Sequence, residues 1–171
     1  MRDAQVRLRA WTSADQPVLE RNDTAEMTAY LGGPEGADKL LKRHERFLRD
    51  QADGTTWPFT VWVETEPEAV GSVLYWYSEH HGQAVYECGW AIATRYQGRG
   101  YASRSIRLAL EHAAAHGDRE LMYAFPRVDN AGSNALARAA GFEFVAVEDF
   151  EYPKGVPIKV NTWLFDLRAL R

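Results

Sequence analysis

The stretch Tyr86–Ser103, YECGWAIATRYQGRGYAS, constrains the fold of this chain more than any other. It opens as an apolar, strand-like run interrupted by one carboxylate, Glu87, and closes in two glycines among arginines, just ahead of a helical pattern. Glycine at 98 and 100 lets backbone approach a ligand without Cβ interference. A helix start adds unpaired N–H groups and the positive end of the dipole, so strand, glycine turn and helix together suit a phosphate or pyrophosphate. Arg95, Arg99, Arg104 and Arg107 form the densest basic cluster in a chain of net charge −4, and guanidinium groups match phosphate oxygens in bidentate geometry. The competing reading is a tight turn with solvated arginines.

The rest of the pattern places this turn in an α/β chain. Residues 6–11 alternate as a strand, and Thr12 or Ser13 can cap a helix running to Asn22. A second helical piece is expected over 24–30, broken by the glycines of LGGPEG, and an amphipathic helix over 37–50, with His44 as a packing residue on its apolar stripe. Strands at 57–64 and 69–78 form a hairpin, and HHG (80–82) turns the chain into the 84–92 strand. His80 and His81 could bind a metal as a pair. No third ligand sits at a useful spacing, so they read as a solvated turn and no metal site is expected. Residues 102–116 are a helix, 121–125 a short buried strand, and Asn130 or Ser133 caps a small helix closed by Gly141. Strands at 142–148 and 160–167 end the chain, separated by the turn-rich DFEYPKGVP. One domain over 1–171 with a mixed sheet is the expectation.

Composition removes several classes. The acidic balance offers no global field for nucleic acid. Cys88 is the only cysteine, which excludes an intrachain disulfide and a Cys-based zinc site; inside an apolar run it reads as a small buried hydrophobe. No apolar run approaches the roughly 20 residues of a membrane span, and the N-terminus lacks a signal-peptide core, so a soluble cytoplasmic protein is expected.

Two phosphate motifs fail. A P-loop requires a Gly-Lys pair that the sequence lacks. A dinucleotide fingerprint fits Gly98 and Gly100 but meets Ser103 at its third glycine, after a strand that belongs to a hairpin series. By contrast, Gln97-Gly98-Arg99-Gly100-Tyr101-Ala102 resembles the Q/R-x-x-G-x-G/A signature of the GNAT acyltransferase superfamily. Glu87–Ile92 resembles its E-x-G-[YW]-x-[ILV] strand. Asn130-Ala131-Gly132-Ser133-Asn134 with Gly141-Phe142 is similar to the N-x-x-S-N…G-F form of the ribosomal-protein N-terminal alanine and serine acetyltransferases. The resemblance runs from Val6 to Leu167 and implies a GNAT fold, its sheet splayed between the 84–92 and 121–125 strands.

It also implies acetyl-CoA as acyl donor, with no metal. The turn Gln97–Ala102 and Ser103 would hold the pyrophosphate, main chain near Ile92 the pantetheine arm, and Asn130 and Ser133 the region of the thioester. Acyl transfer to an amine needs a proton acceptor, and Glu87 is the candidate base, its pKa raised by burial; the alternative is a salt bridge. An N–H near Ile92 would face the developing oxyanion. The position where many members carry a Tyr acid is Ala137, which leaves Ser133, Tyr152 or solvent to protonate the thiolate. Ser133 could equally be a helix cap. Trp11, Tyr30, Trp57, Trp76, Glu148, Asp149, Glu151 and Tyr152 would line the acceptor pocket and favour a cationic primary amine. The expected activity is acetyl transfer to such an amine by direct attack in a ternary complex. The rival is a catalytically silent acyl-CoA-binding module, and homodimer formation is left open.

Overall fold

The computed structural model describes residues 4–171; the first three residues of the expected domain lie outside the described residues. The alternating segments become strands β1 (Val6–Ala10), β2 (Thr56–Val63), β3 (Gly71–His80), β4 (Gln83–Ile92), β5 (Leu121–Ala124), β6 (Glu143–Glu151) and β7 (Pro157–Asp166). They form one sheet in the order β1-β2-β3-β4-β5-β7-β6. All neighbours are antiparallel except β4 and β5. Helices α1 (Gln16–Asn22), α2 (Ala37–Ala52), α3 (Tyr101–His116) and α4 (Ala131–Ala140) flank the sheet. This is the mixed, mostly antiparallel architecture of the GNAT fold.

The helical stripe Ile106, Ala109, Leu110 and Ala113 is almost wholly buried, in one cluster with Val73, Tyr75, Tyr86 and Cys88 of the sheet. Burying each large apolar side chain contributes about 1.5–3 kcal/mol. A second cluster gathers Trp11, Val18, Leu19, Leu40 and Phe47 beneath α1 and α2. His44 belongs there as a packing residue: its Nδ1 accepts a hydrogen bond from Trp11 Nε1 at 3.0 Å.

The parallel seam decides where a ligand can enter. β4 and β5 pair only at Tyr86↔Met122 and Glu87↔Tyr123. Beyond Glu87 the chain after β5 stays with β7, through Asn161 N–H to Pro126 O (2.9 Å) and Val128 N–H to Lys159 O (3.1 Å). Pro126 turns its main chain to β7, so its missing N–H leaves that pair with a single hydrogen bond and plays no part on the β4 side. Ala93 N–H donates to Val70 O of the β3 side, so by strand alternation the main-chain groups of Trp90 and Ile92 face the opened notch.

Several local expectations are corrected. Residues 24–30 make hydrogen-bonded turns rather than a helix; Leu31 and Gly33 N–H both close on Thr28 O, and Gly32 and Gly33, both at positive φ, end the piece. Neither Thr12 nor Ser13 caps α1, which starts after Asp15, whose carboxylate instead accepts from the Thr12 N–H and hydroxyl at 2.8 Å. The β6–β7 hairpin is longer than expected, since Glu151 pairs with Pro157 and only 152–156 turn. His80 still belongs to β3, leaving His81-Gly82, both at positive φ (50° and 77°), as a two-residue hairpin loop.

Candidate active site

At the end of β4 a short 3-10 turn, Thr94–Tyr96, leads into the glycine turn. Gly98 and Gly100 have φ of 74° and 76°, a region that side-chain-bearing residues adopt only at a cost, and Gly100 is the N-cap of α3. None of the backbone N–H groups of residues 98–103 has an acceptor among the described residues. A row of unpaired donors at a helix start is an anion cradle, so the residues present fit a pyrophosphate.

The side chains around it divide the work. Gln97 Nε2 donates to Ile92 O at 2.8 Å and so ties the turn to the strand end. Tyr101 is buried in the core, leaving its N–H to the cradle. Ser103 returns its hydroxyl to Gly100 O at 3.1 Å. Arg95, Arg99 and Arg104 of the cluster have protein partners in this structure. Arg99 pairs with Glu66 at 3.3 Å and Arg95 with Glu68, so acids of the β2–β3 turn offset their charge. Arg104 lies beside Gly100 but donates to Ala4 O at 2.9 Å, and Arg107 is exposed further along the helix.

Where the strands separate, a cleft of about 260 Å³ opens, lined by Glu87 and Gly89 of β4, Trp76, Phe125, Asn130, Ser133, Phe150 and Tyr152, among others. Tyr86 and Cys88 point into the α3 core, and Glu87, between them, points to the opposite face. Its pKa is raised above the usual carboxylate value by burial, opposed by a hydrogen bond from Ser78 Oγ at 3.2 Å. The salt-bridge alternative fails, because no ion pair to Glu87 forms among the described residues. Burial and the neighbouring Glu87 charge push the Cys88 thiol far up, which leaves it inert.

Asn130, not Ser133, caps α4: Asn130 Oδ1 accepts from Ser133 N–H at 3.1 Å. The Ser133 hydroxyl faces the cleft and has no partner among the described residues. Asn134, which the sequence marked only as part of a motif, is a junction. Its Nδ2 donates to Arg127 O and Asn130 O, while its Oδ1 accepts from Asn161 Nδ2 and Trp163 Nε1, all within 2.7–2.9 Å. It locks the start of α4 to β7.

The expected acceptor lining is partly corrected. Tyr30, Trp76 and Tyr152 line the cleft. Trp11 is in the second core, and Trp57 stacks on Tyr75 at 4.8 Å in the first. Asp149 pairs outward with Lys159 at 2.7 Å, and Glu151 accepts from Gly155 N–H. Glu148 is held by His80, His81 and Thr162, which lower its pKa to about 2, the Thr162 hydrogen bond being the largest cause. The residues missed by sequence reasoning are Ser78, Phe125 and Phe150. No local pattern reveals them, since each reaches the site through strand register.

The chain belongs to the GNAT acetyltransferase family: the family model described as an acetyltransferase (GNAT) domain matches residues 5–143. No protein of curated function matches it in sequence. Solved structures share its fold at low identity. The acetyltransferase from Salmonella typhimurium that modifies the N-terminal serine of ribosomal protein L7/L12 is similar at 22% identity, with 94% of each chain covered and a TM-score of 0.78. Spermidine N-acetyltransferase from Vibrio cholerae, in complex with CoA and spermine, is similar at 20% identity, covering 96% of each chain, with a TM-score of 0.78. Aminoglycoside acetyltransferase AAC(6')-Ib, in complex with coenzyme A, gives 17%, 96% of each and 0.77. The acyl donor of the family is acetyl-CoA. Among the described residues no helix is long and apolar enough to cross a membrane.

Proposed function

We propose that this protein acetylates a primary amine from acetyl-CoA by direct attack within a ternary complex, with Glu87 as base. The observation that carries the reading is the position of Glu87: a half-buried carboxylate of raised pKa, without an ionic partner among the described residues, at the last β4–β5 pair before the notch. An aliphatic ammonium must lose a proton before it attacks, and a carboxylate of raised pKa accepts that proton directly or through one water. The cradle of residues 98–103 holds the pyrophosphate, and main chain of Ile92 and Trp90 lies along the pantetheine arm. The thioester supplies the acetyl group, its C–S bond breaking as the C–N bond forms. The Ile92 N–H faces the oxygen on which charge develops, and the Ser133 hydroxyl stands beside the sulfur to donate a hydrogen bond to the thiolate.

The lining also narrows the acceptor. With Glu148, Asp149 and Glu151 engaged elsewhere, Glu87 is the carboxylate in the cleft, amid Tyr30, Trp76, Phe125, Phe150 and Tyr152. Such walls favour one amine beside an apolar or aromatic group, as at a peptide N-terminus, over a polycation, whose further charges would find no partners. The test is initial-rate kinetics with acetyl-CoA and a panel of N-terminal peptides, polyamines and aminoglycosides. Intersecting double-reciprocal lines with a peptide amine are expected. Parallel lines would refute direct transfer, polyamine preference would refute the acceptor assignment, and tight CoA binding without turnover of any amine would make the chain a silent binding module.

A further inference from the structure

We propose that His80, His81 and Glu148 form a binding site for a divalent transition metal of the Zn2+ type, separate from the acetyl-transfer cleft. The three residues come from elements far apart in sequence: the β3–β4 hairpin supplies both imidazoles and β6 supplies the carboxylate. His80 Nε2 lies 2.9 Å from Glu148 Oε2, His81 Nε2 lies 2.6 Å from Glu148 Oε1, and all ligand atoms fall within 4.8 Å of one another. Two imidazoles and a carboxylate are a familiar zinc donor set, leaving a fourth position for water.

The geometry needs little adjustment. With metal–ligand bonds of about 2.0–2.1 Å, ligand atoms in a tetrahedron stand about 3.3 Å apart. With one Glu148 oxygen as ligand, the edge to the histidine already touching that oxygen must open by about half an ångström, and the other two edges, none longer than 4.8 Å, must close by no more than about 1.5 Å. His81 can supply the movement, since its side chain is 76% exposed in the hairpin loop. His80 is the fixed member, its ring packed against Tyr123 at 4.4 Å and Phe125 at 5.5 Å between centroids. Fully buried Thr162 donates its hydroxyl to Glu148 and orients the carboxylate, as supporting hydrogen bonds do at metal sites. Without metal, the Nε2 protons of the two rings satisfy the carboxylate. A bound ion takes the Nε2 lone pairs instead, and each neutral ring carries its proton on Nδ1.

The site also has a mechanical meaning. β4 is joined to the β5-β7-β6 half by two residue pairs, and this cluster is a cross-link between the β3–β4 hairpin and β6. Phe150, two residues beyond Glu148 on the same strand face, lines the cleft and stacks on Phe125 at 5.7 Å. A bound ion therefore steadies one wall of that cleft.

The test is calorimetric titration of the full chain, freed of metal by chelator, with Zn2+, and visible absorption with Co2+. One ion per chain is expected, with tetrahedral Co2+ bands and a rise in Tm of about 5–10 °C at hundredfold excess over Kd. His81→Asn, which tolerates the positive φ, and Glu148→Gln should each weaken binding at least tenfold, and Thr162→Val about tenfold. His116→Asn, on the α3 face where His112 and His116 stack, should leave it unchanged. Absence of saturable binding at millimolar Zn2+ overturns the proposal. So does binding that survives His81→Asn or is lost with His116→Asn. If Glu148→Gln fails to fold, the loop variant His81→Asn decides alone.

Discussion

Replacing Glu87 by Gln separates chemistry from architecture. The amide keeps the shape and can still accept from Ser78, so the notch should survive while the proton acceptor is lost. A positioned base contributes about 10²–10⁴ in rate. Water can reach this half-open cleft, so the lower figure applies: kcat should fall about 10²-fold, about 2.7 kcal/mol of barrier, with the Kd for CoA unchanged. The acidic limb of the pH–rate profile, set by ionisation of this raised carboxyl, should flatten. Stability should move the other way. A carboxyl whose folded pKa lies above its unfolded value binds its proton more tightly in the native state, so native stability falls as pH rises from the unfolded to the folded value. Glu87→Gln removes that loss, and its Tm advantage over the parent should be larger at pH 8 than at pH 4. Rates from pH 5.5 to 9 and melting curves at the two pH values are the assay. A variant within about threefold of the parent at pH 7.5, with the acidic limb intact, would refute Glu87 as base; equal Tm differences at both pH values would refute the burial argument.

The other predictions concern the elements around it. Gly100→Glu places a charged side chain at φ 76° beside the cradle and should weaken CoA binding about 30–100-fold by calorimetry, without loss of fold. Ser133→Ala should cost about tenfold in kcat with Tm unchanged, whereas Asn130→Ala should lower stability by about 1 kcal/mol in urea unfolding, because Asn130 is the cap. Asn134→Ala strands the Trp163 indole N–H and frees α4 from β7; a loss of about 2–4 kcal/mol is expected, and a loss below about 1 would deny its junction role.

What could be read in the sequence was what is encoded locally. The glycine turn was legible because φ near 75° at residues 98 and 100 demands glycine and a helix start announces its donors. Glu87 was legible as a carboxylate in an apolar strand. What escaped depends on register between distant segments. His80, His81 and Glu148 meet only because the hairpin and β6 project to the same side of the notch. Ser78 reaches Glu87 across β3 and β4, where Trp76 pairs with Glu87 itself. Aromatic residues mislead for a related reason, since Trp11, Trp57 and Trp76 are chemically alike and only packing tells core from cleft. Ser133 and Asn130 illustrate the limit within one turn of helix: both can cap, and the Asn130 side chain takes the role, which leaves the Ser133 hydroxyl to the cleft.

The premature end of β4–β5 pairing bears on hydrogen exchange. Trp90 and Ile92 turn main-chain groups toward a neighbour that has left, so their amides depend on solvent although they lie in the middle of a sheet. A ligand arm laid along β4 acts there as a short surrogate strand, completing a ladder that the polypeptide leaves open. Its arrival should slow exchange at Trp90 and Ile92 while leaving Ala91, already bonded to β3, little changed. The alternation of protected and newly protected amides along one strand would then record which edge the ligand occupies.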